Sequence, residues 1–135
     1  MVKSEKRDEI IRIFRKYARM GLADHRLNPI QAYKKIDLLC TSKRSKLDMF
    51  AVYDTLRLLV LDGDEETVDA VYRVYFSGKT HRLSGREISE RVTRVASEQF
   101  CDDRTVYRKL ERARALYERV REQEGLILDG EYFNN

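Results

Sequence analysis

Proline is almost missing from this chain. One proline, Pro29, and six glycines are spread over 135 residues, against 37% charged residues. So few turn-formers argue against a fold of many short strands and favour long helices. Only two cysteines occur, Cys40 and Cys101, far apart and outside any C-x-x-C spacing. That argues against a disulfide framework and fits two reduced thiols in a cytoplasmic protein. His25 and His81 are isolated at unrelated spacings, which speaks against a zinc site or any other metal. No apolar run approaches the roughly 18 residues that cross a bilayer. The N-terminus has no secretory apolar region, so neither membrane insertion nor export is expected.

The chemistry of catalysis is equally thin. No Ser/His/Asp or Cys/His set has recognisable local spacing, no phosphate loop appears, and no His/carboxylate cluster stands out. The expectation is a protein that is not an enzyme and needs no cofactor. Asp62-Gly63-Asp64 invites a calcium-loop reading, but glycine is missing from the sixth position and glutamate from the twelfth. A turn with Asp64 as helix N-cap, followed by Glu65 and Glu66 on the positive end of the helix dipole, accounts for these residues better. Asp48 and Asp54 read as helix-surface or capping groups.

What is present is helical periodicity. With 42% apolar residues the chain can bury a core. From Lys3 to Met20, Ile10, Phe14, Tyr17 and Ala18 share one side with Ile11 beside them, and Gly21 fits the position just past a helix end. Arg12, Arg15, Lys16 and Arg19 make the other side basic, either as a solvated face or as a phosphate or partner contact. Asn28-Pro29 is a helix start, and Ile30, Tyr33, Ile36 and Leu39 outline the face of a short helix ending near Thr41. The basic run TSKRSK reads as a polar connector. Leu47 to Leu61 is apolar nearly all round, the mark of a helix buried from several sides. Val68, Val71, Tyr72 and Tyr75 form the next apolar face, which Phe76 ends before a polar loop from Ser77 to Leu83.

The stretch from Ser84 to Gln123 reads as two helices with a short break. Ser84 and Glu87 form a capping box, and Ile88, Val92, Val95 and Ala96 the apolar face behind it. Asp102 or Asp103 caps the second helix, in which Val106, Leu110, Ala113, Tyr117 and Val120 recur at helical steps. Arg104, Arg108, Arg112 and Arg119 fall roughly opposite, flanked by Thr105 and Lys109, so positive charge gathers into a stripe. Such a helix is built like one that reads a DNA major groove. Regional charge is uneven: +7 over residues 1–61, −4 over 62–76, +3 over 77–124 and −2 over 125–135.

VDAVYRVYF, SGREISERV and DDRTVYRKLERARALYERV together resemble the helix-turn-helix of sigma factor region 4-like proteins, in particular phage and prophage regulators of the ArpU/RinA type. Arg86 to Glu90 and Thr105 to Leu110 carry most of the likeness, which covers roughly 40% of the chain. Ile88 and Val106 lie 18 positions apart, farther than in compact helix-turn-helix units, so the first helix or the turn is lengthened. The periodicity and the resemblance together lead to an all-α expectation: an N-terminal helical bundle over residues 1–61, read from its apolar faces and open to dimerisation or partner contact, then a three-helix helix-turn-helix domain over 64–124, which the resemblance implies, and a tail over 125–135. The resemblance also implies a sequence-specific transcriptional regulator of bacterial or phage origin that binds double-stranded DNA. RNA polymerase is then a candidate partner, and a homodimer a candidate assembly. Ser84, Arg86, Arg104, Thr105, Arg108, Lys109 and Arg112 are the candidate DNA-binding residues. Two other readings stay open. One is a helical protein-interaction module using Tyr107, Leu116 and the tail, where Leu126 to Leu128 would dock on the chain or on a second copy. The other is the small DNA-recognition subunit of a phage packaging machine.

Overall fold

The computed structural model describes residues 3–24, 26–78 and 80–133, with side chains through Gly125. Every regular element among them is helical: α1 (Lys3–Arg19), α2 (Pro29–Leu39), α3 (Lys43–Leu61), α4 (Glu65–Val71), α5 (Gly85–Glu98) and α6 (Asp103–Phe133). α4 runs directly into a π-helical turn, Tyr72–Phe76. None of the helices is long and apolar enough to cross a membrane.

Local chemistry sets the helix starts. Asn28 and Gln31 exchange hydrogen bonds in a capping box ahead of Pro29, and Ser84 and Glu87 do the same ahead of Gly85. The Asp64 carboxylate accepts from both the backbone N–H and the hydroxyl of Thr67, at 3.3 and 2.8 Å. Gly63, at φ 77, makes the turn before it. α1 ends as its glycine suggests, with Gly21 at φ 74 and the Leu22 N–H bonded back to the Tyr17 carbonyl.

Residues from both halves of the sequence enter one core. Phe14 of α1, fully buried, packs edge-on against Tyr75 and Tyr117 at ring separations of 5.7 and 5.5 Å. Val106, Leu110, Ala113, Tyr117 and Val120 are all buried, so α6 lies against α3, α4 and α5 along the face its periodicity marks. Each large apolar side chain removed from water in this way contributes about 1.5–3 kcal/mol before entropy is set against it.

Five readings of the sequence need correction. Arg15 does not belong to a solvated basic side; it is buried at 1% exposure. α2 does not bury the face drawn through Ile30, Tyr33, Ile36 and Leu39: Ala32 and Ile36 go inside, while Ile30 and Leu39 stay exposed. α2 packs mainly on α3, and a helix with one principal neighbour buries one narrow stripe. The basic run is no connector beyond Ser42, which caps α3 and puts Lys43 to Lys46 in its first turn. The far end of α3 is not enclosed, since Leu58, Val60 and Leu61 are exposed. Finally, α6 does not stop near Gln123 but continues through Phe133. The docking expected of Leu126 to Leu128 lies outside the described side chains.

Candidate nucleic-acid interface

α5 and α6 are joined by four residues, Gln99 to Asp102. The long span from Ile88 to Val106 is therefore taken up by α5, which has 14 residues, and not by the turn. The turn closes tightly, with the Cys101 N–H donating to the Ala96 carbonyl at 3.0 Å. Phe100 sits between them in the left-handed region at φ 56, and its side chain is 96% exposed. A bulky residue adopts that backbone at a cost.

Asp102 caps α6, accepting from the Thr105 N–H at 2.8 Å and from the Thr105 hydroxyl at 2.7 Å. These bonds, the hydroxyl's first, hold the Asp102 carboxyl below its ordinary range, with Arg108 and Arg104 adding a smaller pull. The Asp103 carboxylate reaches back to α5, accepting from the Thr93 hydroxyl at 2.8 Å. That bond fixes the start of α6 beside α5.

The arginine row expected along α6 is divided. Arg104 and Arg108 are exposed and one turn apart, and neither has a hydrogen bond or ion pair among the described residues. Lys109 is different: its ammonium meets Glu66 at 2.8 Å and Gln99 at 2.7 Å, and its side chain is only 17% exposed. Arg112 reaches Asp62 at 3.0 Å and Asp64 at 3.3 Å. The acidic segment 62–66 thus neutralises one flank of the row and leaves the outward pair bare. Thr105 is half-buried with its hydroxyl engaged in the cap.

At the start of α5, Ser84 is occupied in its own capping box. Arg86 is exposed and pairs with Glu90 at 3.1 Å, one turn along. The Gly85 and Arg86 N–H groups have no acceptor within the helix, because the first turn of any helix lacks one.

Some residues that matter here were hidden from the sequence reading. Arg94 is exposed on α5 and unpaired among the described residues; its place opposite Val92 and Val95 was the available signal. Arg15 and Arg91 gave no local signal. The Arg15 guanidinium donates to the carbonyls of Tyr75 (2.9 Å), Ser77 (2.5 Å) and Thr80. Arg91 donates to the carbonyls of Val74 and Ser77, both at 2.9 Å. The two arginines together satisfy the orphan carbonyls that end the π turn. Burial lowers the Arg15 pKa from its usual value, and Arg91 and Arg19 nearby lower it further.

Cys40 and Cys101 are free thiols. Among the described residues no three His, Cys, Asp or Glu side chains come together as a metal site. Neither a family model, nor a curated protein, nor a solved structure matches this chain.

Proposed function

We propose that this chain is a sequence-specific, DNA-binding transcriptional regulator of bacterial or phage origin. In this reading α4, α5 and α6 work as a helix-turn-helix unit of the sigma region 4-like kind. The observation that carries it is the pair Arg104 and Arg108, outward-facing, one turn apart and without a hydrogen bond or ion pair among the described residues, with the capping Asp102 carboxylate their acidic neighbour. A guanidinium so placed can pair bidentately with the O6 and N7 of guanine in the major groove. Arg86 and the free N–H groups at the start of α5 suit a backbone phosphate. Lys109 and Arg112 serve the reading from the flank, holding α6 against the 62–66 segment. Thr105 and Ser84 serve it as capping groups. RNA polymerase and a second copy of the chain remain proposed partners on the strength of the resemblance.

The test is anisotropy of a labelled mixed-sequence duplex across a salt series. Each phosphate-neutralising side chain contributes about one to the slope of log affinity against log salt. Arg104→Ala with Arg108→Ala should weaken binding and flatten that slope; unchanged affinity and slope would end the proposal.

A second reading, a protein-interaction module, is favoured by the exposed Phe100 in its costly backbone state. Self-association insensitive to salt and lost in Phe100→Ala would mark it.

A further inference from the structure

A cleft of about 630 Å³ opens between α1, the loop before α5, the start of α5 and one edge of α6. That volume lies in the range of pockets for small organic ligands. Its charge is lopsided, with five arginines against two carboxylates. One of those carboxylates, Asp8, is already paired with Arg7 at 3.4 Å. Arg12 and Arg82 are exposed at the cleft, and the guanidinium groups of both are without a hydrogen bond or ion pair among the described residues. Arg114 is held in the wall by the Tyr75 hydroxyl, to which it donates at 2.6 Å.

Behind this rim lies Arg15, a buried cation whose hydrogen-bond acceptors are all neutral oxygens. Its Nε is buried and has no hydrogen-bond partner among the described residues. The Glu87 carboxylate nearby offsets part of this charge, but Arg91 and Arg19 add to it, so a positive potential remains that an anion in the cleft would offset. The rest of the lining is mixed: His81, Gly85 and Glu111 stand beside the apolar Ile11, Leu83, Ile88 and Leu110, with the partly exposed ring of Tyr107. Cations from α1, the loop and α6 converging on one space suit a dianion better than a single carboxylate, and the aromatic edge suits a flat ring.

We propose that the cleft binds a small phosphate-bearing molecule with a flat apolar group, in chemical class a nucleoside monophosphate. Arg12 and Arg82 hold the phosphate, and the base lies against Tyr107 and Ile88. The site is separate from the outward face of Arg104 and Arg108 and does not depend on the DNA reading.

The test is calorimetric titration of the full chain with the four ribonucleoside 5′-monophosphates, with adenosine and inorganic phosphate alongside. At least one monophosphate should bind saturably and more tightly than either fragment. Arg12→Glu and Arg82→Glu, both at exposed positions, should each weaken it by on the order of tenfold or more. Tyr107→Ala should weaken the nucleotide and leave phosphate binding as it was. Arg104→Ala with Arg108→Ala should leave nucleotide binding intact, whatever it does to DNA. The proposal falls if none of the four monophosphates binds, or if one binds the two Glu variants as well as the wild type. It also falls if those variants lose duplex DNA affinity while nucleotide binding is unchanged.

Discussion

Arg15 and Arg108 look alike in sequence, each a basic residue within an amphipathic helix, and the fold uses them in opposite ways. Arg15 is enclosed, with four hydrogen bonds tying α1 to a segment some sixty positions later. Arg108 stands in solvent with no partner among the described residues. The difference comes from what lies opposite. Arg15 faces the end of a helix, where carbonyls lack donors, whereas Arg108 points to solvent with only the exposed, capping Asp102 acting on it among the described residues. A charged side chain is placed inside when the backbone has unmet acceptors to offer it, and helix ends supply them.

The largest effect should come from removing the enclosed arginine. Arg15→Ala leaves the carbonyls of Tyr75, Ser77 and Thr80 without that donor and opens a void, at a cost on the order of 3–5 kcal/mol. Urea unfolding monitored by circular dichroism would show it. Arg15→Lys should recover only part of the loss, since an ammonium cannot reproduce the planar fork. The outward pair should behave in reverse: Arg104→Ala and Arg108→Ala should leave stability within about 0.5 kcal/mol. Each should remove about 1–3 kcal/mol of discrimination from binding to a selected DNA site. An Arg108→Ala protein that unfolded as readily as Arg15→Ala would erase the contrast.

A second comparison sets the buried cation beside a buried acid. Burial first, and then a hydrogen bond with Asp54 and that group's negative charge, push the Glu124 carboxyl well above the ordinary glutamate range; Arg121 opposes them. One of its oxygens, Oε2, is buried without a hydrogen-bond partner among the described residues. The folded chain keeps this proton where the unfolded chain has released it. Stability from this group is therefore complete below the ordinary glutamate pKa and is lost as pH rises through neutral into alkaline conditions. Glu124→Gln should flatten that decline in a series of melting temperatures, and an unchanged slope would contradict it. The smallest effect belongs to the exposed side of the 62–66 cluster: Arg112→Ala should cost about 0–1 kcal/mol, less at high salt, because Asp62 stays in water and Asp64 keeps its two bonds from Thr67.

How far the sequence could be read follows the range of the interaction. Caps were legible at Asn28, Asp64, Ser84 and Asp102, because a cap and its partner lie three residues apart. The buried face of α6 was legible because five apolar residues recur at helical steps and three helices pack on it. α2 shows the limit of the same argument: Ile30 and Leu39 fit the pattern, yet a helix packed mainly on α3 buries only Ala32 and Ile36. The acidic segment 62–66 was visible as charge, but its pairing with Lys109 and Arg112 was not, since their separation in sequence is more than forty positions. The role of Arg15 depends on a loop far downstream and had no local mark. The all-helical class was legible from composition; the candidate DNA-binding face rests on a stripe of which the fold leaves half unpaired.

The π turn at Tyr72–Phe76 makes the chain sensitive to the insertion or loss of single residues. A wide turn holds one more residue than an α-helix needs over the same rise. Deleting any one residue between Tyr72 and Phe76 would let the segment relax to ordinary helix and swing everything after it by about 100° about the axis. The carbonyls of Tyr75 and Ser77 would then turn away from Arg15, and those of Val74 and Ser77 from Arg91. Substitutions along this segment alter side chains one at a time, but a one-codon deletion would uncouple the two ends of the chain at a stroke.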